Sequence, residues 1–115
     1  MEEMRSSPRF KINQLIAYVD DREEYLHADG LDISRGGIKC SSPRAVEPMT
    51  DIYVMVKVPS PEGEHLVRCE GYVSHSTKTA EACVFGVRFS SIEPEDQPYF
   101  DAYIASLAAE GSVQA

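Results

Sequence analysis

Apolar and polar residues alternate with a period of two through the middle of this sequence, and that pattern constrains the fold more than any other feature. Asp51 to Val58 sets Ile52, Val54, Val56 and Val58 on one face, with Tyr53, Met55 and Lys57 on the other. A pleated strand with one covered face requires this spacing, because successive side chains leave it on opposite sides. Ala82 to Phe89 repeats the pattern, with Cys83, Phe85, Val87 and Phe89 opposite Val84, Gly86 and Arg88. Leu66 to His75 sends Val67, Cys69 and Val73 one way and Arg68 and Glu70 the other. Lys11 to Val19 is apolar on both sides from Leu15 onward, as expected of a strand covered on both faces. Tyr25 to Ser34 and Gly37 to Cys40 read as two further strands. Gly36-Gly37, Pro43, Pro48 and the loop Pro59-Ser60-Pro61-Glu62-Gly63 punctuate the series. Short strands at this spacing predict an antiparallel barrel or sandwich.

The period changes at the C-terminus. Tyr99, Phe100, Tyr103, Ile104 and Leu107 fall on one helical stripe, which predicts a helix over about Glu95 to Glu110 laid against the sheet. Pro94 suits its first turn, Glu95 and Asp96 lie near the positive end of its dipole, and Gly111 is a plausible stop. The 115 residues make a single domain. A chain of this length buries about 65% of its unfolded surface and needs neither metal nor disulfide to hold a core.

Charge and cysteine usage narrow the function. Lys and Arg number 11 against 19 Asp and Glu, a formal net charge of −8. Nucleic-acid binding draws its affinity from neutralised phosphates, so this balance argues against a nucleic-acid partner. No apolar run approaches the roughly 20 residues of a membrane span, and Met1 to Phe10 lacks the apolar stretch of a signal peptide. The expectation is a cytoplasmic protein without membrane insertion. Cys40, Cys69 and Cys83 are odd in number with no close pair, which suits neither a disulfide framework nor a zinc site; they read as buried reduced thiols. The acid is uneven. No Lys or Arg follows Arg88, whereas Arg5, Arg9 and Lys11 gather at the start.

Two short motifs need a reason. In Arg5-Ser6-Ser7-Pro8-Arg9, Pro8 forbids a settled helix and biases Ser7 towards extended backbone. Positions four apart in an extended chain share a side, about 13 Å apart at ~3.3 Å per residue. Two guanidinium forks at that spacing can grip a compact ligand from two ends, because their planar donors match phosphate oxygens or the O6/N7 edge of guanine. Taken alone, the pair also fits an ordinary chain terminus. In Asp32-Ile33-Ser34-Arg35-Gly36-Gly37, Asp32 and Ser34 point the same way on a strand, with Leu31 and Ile33 inward. This predicts a carboxylate and a hydroxyl displayed side by side on the outer surface. Gly36-Gly37 then permits positive φ and a tight turn with backbone close to anything bound. A carboxylate can accept two N–H donors from one guanine edge, and a hydroxyl can add another bond. A hairpin turn with an Asx or Ser cap explains the same residues without any ligand.

An RxxxR segment before the first strand, followed about twenty residues later by DxSxxG at a strand end, resembles the PilZ domain family. Gly86-Val87-Arg88-Phe89, then Ser90-Ser91-Ile92 and an acidic helix start, is similar to that family's last strand and C-terminal helix. Val46-Glu47-Pro48-Met49-Thr50-Asp51 is similar to its approach to the middle strands. The resemblance covers Met4 to Leu107. It implies a six-stranded antiparallel β-barrel with one C-terminal α-helix, divided into an arm over residues 1–10, a barrel with helix over 11–110 and a tail over 111–115. It implies the bacterial second messenger cyclic di-GMP as ligand, with no cofactor and no metal. Carried over, Arg5 and Arg9 clasp guanine edges and phosphates, Asp32 and Ser34 hydrogen-bond a guanine, and Gly37 supplies the close backbone turn. Met4 stands where a further Arg would serve a stacked ligand dimer, so one messenger per site is expected. The arm is expected to be mobile when empty and to order when filled. Signalling then passes to an effector protein, unidentified from sequence, in motility, pilus, biofilm or exopolysaccharide control, with the chain a monomer or weak dimer.

Two other classes compete. An enzyme finds little support, because His27, His65 and His75 are scattered and no HExxH or nucleophile elbow occurs. His75 reads as an exposed residue at a strand end, and Glu93, Glu95 and Asp96 are explained by a helix N-terminus. The alternative is a PilZ-like adaptor that binds no nucleotide and acts only through protein contacts, using Tyr99, Phe100 or exposed edge strands.

Overall fold

The computed structural model describes residues 8–20 and 22–110. Six strands precede one helix: β1 (Phe10–Val19), β2 (Tyr25–Ser34), β3 (Gly37–Ser42), β4 (Asp51–Ser60), β5 (Gly63–Lys78), β6 (Cys83–Ile92) and α1 (Gln97–Ala109). The strands close into a barrel in the order β1-β2-β3-β6-β5-β4, every neighbouring pair antiparallel. Alternation places the core as the sequence requires. Ile52, Val54, Val56 and Val58 of β4, Val67, Cys69 and Val73 of β5, and Cys83, Phe85 and Val87 of β6 all point inward and are buried. Ile16 and Tyr18 of β1 meet them, with the Tyr18 and Phe85 rings edge to face at 5.8 Å.

β1 departs from expectation. Leu15 is 62% exposed, so the strand is covered on one face only. The cause is the closing seam. β1 pairs with β4 only from Ala17 to Val19, opposite Tyr53 to Met55, and below that point the two strands diverge. Gln14 bridges the gap by donating its Nε2–H to the Lys57 carbonyl at 3.0 Å. Tyr103 of α1 in turn donates its hydroxyl to Gln14 Oε1 at 2.8 Å. Phe100, Tyr103, Ile104 and Leu107 bury the predicted helical stripe against the barrel.

The helix begins later than its sequence signals imply. Pro94 lies in a turn, where Asp96 and Gln97 both donate their N–H to the Glu93 carbonyl, and Pro98 takes the first-turn place. Asp96 occupies the N-cap position, yet its side chain caps nothing. It is 1% exposed and turned to β5 instead. There it accepts from His65 Nε2 at 2.8 Å, from the Arg68 backbone N–H at 3.0 Å and from Arg68 Nε at 2.8 Å. Tyr99 stacks on His65 with centroids 3.6 Å apart. Burial alone would raise the Asp96 carboxyl, but the Arg68 and His65 bonds outweigh it and hold the pKa at about 2. This cluster fastens the start of α1 to the barrel wall, so the helix dipole is an incomplete account of Asp96. Gly111, the expected stop, is outside the described residues; α1 ends at Ala109 with Glu110 as its C-cap. All three cysteines are free and buried, and no described helix is long and apolar enough to cross a membrane.

Candidate functional site

Residues from the two motifs meet on the barrel wall where β1, β2 and β3 run side by side. The register sets Lys11 opposite Asp32 and Asp32 opposite Lys39. A register shift between Gly30 and Asp32 leaves Leu31 without a partner on β3 and turns Asp32 outward while Ile33, fully buried, faces the core. Arg9, just before β1, folds over this carboxylate. Its Nε donates to Asp32 Oδ1 at 2.9 Å, and Nη2 donates to the same oxygen. Side-chain exposure is 33% for Arg9 and 7% for Asp32, so the pair is shielded on the acid's side and open on the cation's. Among the described residues, neither Asp32 Oδ2 nor Arg9 Nη1 has a hydrogen-bond partner.

The sequence expectation of a displayed carboxylate and hydroxyl needs correction. Asp32 is 5% exposed and Ser34 1%. Arg9 roofs the first. Ser34 sits at the tip of β2, where its Oγ accepts the Gly36 N–H at 3.2 Å and tightens the Arg35-Gly36 turn. The reason expected for the glycines also changes. Gly63 is the sole described glycine with positive φ, so the turn does not use left-handed backbone at Gly36 or Gly37. Gly37 is needed for close approach: a Cβ there would lie 2.3 Å from the Val87 carbonyl oxygen of β6. Arg5, the other predicted clasp, is outside the described residues.

Register adds residues that spacing alone did not reveal. Gly37 pairs with Arg88 and Lys39 with Gly86 across β3 and β6. Alternation had already set Arg88 and Gly86 on the outward face of β6, but which strand lay beside them was unreadable before closure. Arg9, Arg35, Lys39 and Arg88 thus lie around one stretch of wall on an acidic chain. Arg35 reaches Asp101 of α1 at 3.5 Å, while neither Lys39 nor Arg88 forms an ion pair with a described residue. Two concavities among the described residues lie away from these motifs. One of about 670 Å³ is bordered by Leu15, Tyr25, Met55 and Leu66, and another of about 590 Å³ by Asp20, Glu23, Asp51 and Glu70. No described cluster of His, Cys, Asp or Glu has metal-holding geometry.

A closed six-stranded barrel, a trailing helix and an arginine folded onto the DxSxxG aspartate together define a small β-barrel module with a polar outer wall. The sequence matches the PilZ domain over residues 3–106, and the chain belongs to that family. No curated protein matches the sequence. Among solved structures, the fold is similar to that of the Bacillus subtilis inhibitor of motility, MotI/DgrA, with a TM-score of 0.71 at 17% identity. The likeness covers 93% of this chain and 51% of that one, so this chain spans about half the length of that protein.

Proposed function

We propose that this PilZ domain is a cyclic di-GMP receptor that signals through a protein partner. The observation that carries the reading is the convergence of Arg9 and Asp32, 23 positions apart in sequence, into one ion pair on the outer wall. Among the described residues the pair leaves one carboxylate oxygen and one guanidinium nitrogen without a partner, and in this reading both serve the ligand. Asp32 Oδ2 accepts a guanine N1–H or N2–H, and Arg9 Nη1 takes a phosphate oxygen or the O6/N7 edge. Ser34 and Gly37 hold the turn beneath the base, and Arg5 supplies the second clasp. The messenger is a dianion on a chain of net charge −8, so these local cations must provide the attraction. One messenger occupies each site, because Met4 offers no further plane for a stacked dimer.

Binding draws residues 1–7 against the barrel beside Arg9, which already sits on Asp32, and the new surface is what an effector protein reads. A fold shared with an inhibitor of motility supports motility machinery as the destination. A receptor for an intracellular messenger works in the cytoplasm.

Calorimetry with cyclic di-GMP tests the proposal. Wild type is expected to give saturable heat, and Arg9→Ala and Asp32→Ala each to lose about 1.5–3 kcal/mol of binding free energy, the scale of a charge-assisted bond. Amides of residues 2–7 should gain hydrogen-exchange protection on saturation. Absence of heat from folded protein at high micromolar messenger would overturn the reading and favour the nucleotide-independent adaptor.

A further inference from the structure

The row of outward positions that contains Asp32 does not end at Lys39. It continues through Gly86 of β6, which pairs with Lys39, to His75 of β5, which pairs with Gly86. A register shift between Val73 and His75 inserts Ser74 as an extra residue. Val73 stays in the core, and the next pair, His75 with Gly86, comes out on the outer wall. Gly86 is buried despite facing out, because the imidazole rests on it: a Cβ at Gly86 would lie 2.4 Å from His75 Cε1. Hydrogen bonding orients the ring. Ser74 donates its hydroxyl to the Gly86 carbonyl at 3.3 Å, which leaves Ser74 Oγ to accept from His75 Nδ1–H at 3.2 Å. Nε2 is then an acceptor with no described partner, on a side chain open to solvent.

Along the wall the order is therefore acceptor, cation, bare backbone, acceptor: Asp32, Lys39, Gly86, His75. Three strand spacings separate the two acceptors, a path of roughly 14 Å along the curved wall at ~4.8 Å each. A ligand with two identical purines, each presenting N–H donors and joined by a phosphate ring, has the same order. We propose that His75 is a second base-recognition residue, its Nε2 accepting an N–H from the guanine that Asp32 does not hold, with the phosphates above Lys39. Ser74 is the positioning residue that fixes the acceptor tautomer.

This inference rests on the receptor reading, and the experiment separates the two. Cyclic di-GMP is titrated into wild type, His75→Ala, His75→Gln and Ser74→Ala by calorimetry, while the His75 Cε1–H resonance is followed by NMR in wild type. His75→Ala should bind about tenfold more weakly, as expected when a bond to a buried base edge is lost. His75→Gln, which returns an acceptor at the Nε2 position, should recover to within about threefold, and Ser74→Ala should fall between them. The His75 resonance should shift on saturation. Binding by His75→Ala equal to wild type, with an unmoved His75 resonance, overturns the inference and leaves the receptor reading standing. No binding by wild type overturns both.

Discussion

Asp96 and Asp32 are both buried carboxylates, and each is held by an arginine. Their surroundings give them different work. Asp96 has both oxygens engaged by His65 and Arg68, so it serves as a fastener. Asp32 has one oxygen engaged by Arg9 and the other without a partner among the described residues, which is what the proposed receptor role uses. The fastener should be visible in stability. Asp96→Asn removes the charge that Arg68 and His65 face, and should cost about 2–4 kcal/mol in urea unfolding at neutral pH. The pH dependence follows from its depressed pKa. The folded value of about 2 lies below the usual ~3.9 of an unfolded aspartate, so the contribution is complete above that range. It is lost as pH falls from about 4 towards 2, and the gap between wild type and Asp96→Asn should close over that window. An unchanged gap at pH 2.5 would contradict this account. At this scale the sequence singled out polar residues by motif and position but not how they are covered. Asp32 and Ser34 were legible from motif spacing, whereas the Arg9 roof depends on a contact across the sheet. Asp96 was read from its place before a helix, and its true partners lie about thirty residues away, where no periodic signal reaches.

Elements were legible where one face is covered and blurred where strands bend or diverge. The inward faces of β4 and β6 follow from alternation alone, since a slip of one residue would expose every buried side chain, whereas β5 keeps it only to Val73, where an extra residue turns His75 outward. Leu15 misled because a two-sided apolar run reads as double cover, while β1 and β4 part company beneath Ala17. The glycines carried a signal whose cause was hidden. Gly37 and Gly71 lie against the backbone of β6, and a Cβ at Gly71 would meet the Arg88 carbonyl oxygen at 2.2 Å. Neither demand can be inferred from turn chemistry. Gly37→Ala must force β3 from β6 and should destabilise the barrel by about 2 kcal/mol or more, as overpacking of a rigid contact does. Gly63→Ala provides the contrast. Gly63 has φ of +121° and open space around its Cβ position, so the cost is conformational, about 1 kcal/mol. Thermal unfolding of the two variants should rank them in that order, and a reversed ranking would show that close approach is not what holds Gly37.

Closure organises the whole molecule, and it was legible only through the family resemblance; alternation and turn residues left barrel and sandwich equally open. Its interior is sealed. Burial pushes the Cys40 and Cys69 thiols up to about 12, and nearby carboxylates add to the effect. Cys83 is buried as well. Native protein should therefore react with a thiol-specific reagent only as fast as it unfolds globally, and all three cysteines should become reactive together in denaturant. Prompt labelling of a single cysteine in folded protein would reveal local opening instead. A closed wall also limits how the molecule can convey information. Every strand is clamped on two sides, so none can slide without tearing two ladders at once. On the proposed receptor reading, an occupied site must therefore announce itself through altered outer chemistry, in the parts appended to the barrel, while the interior stays as it was.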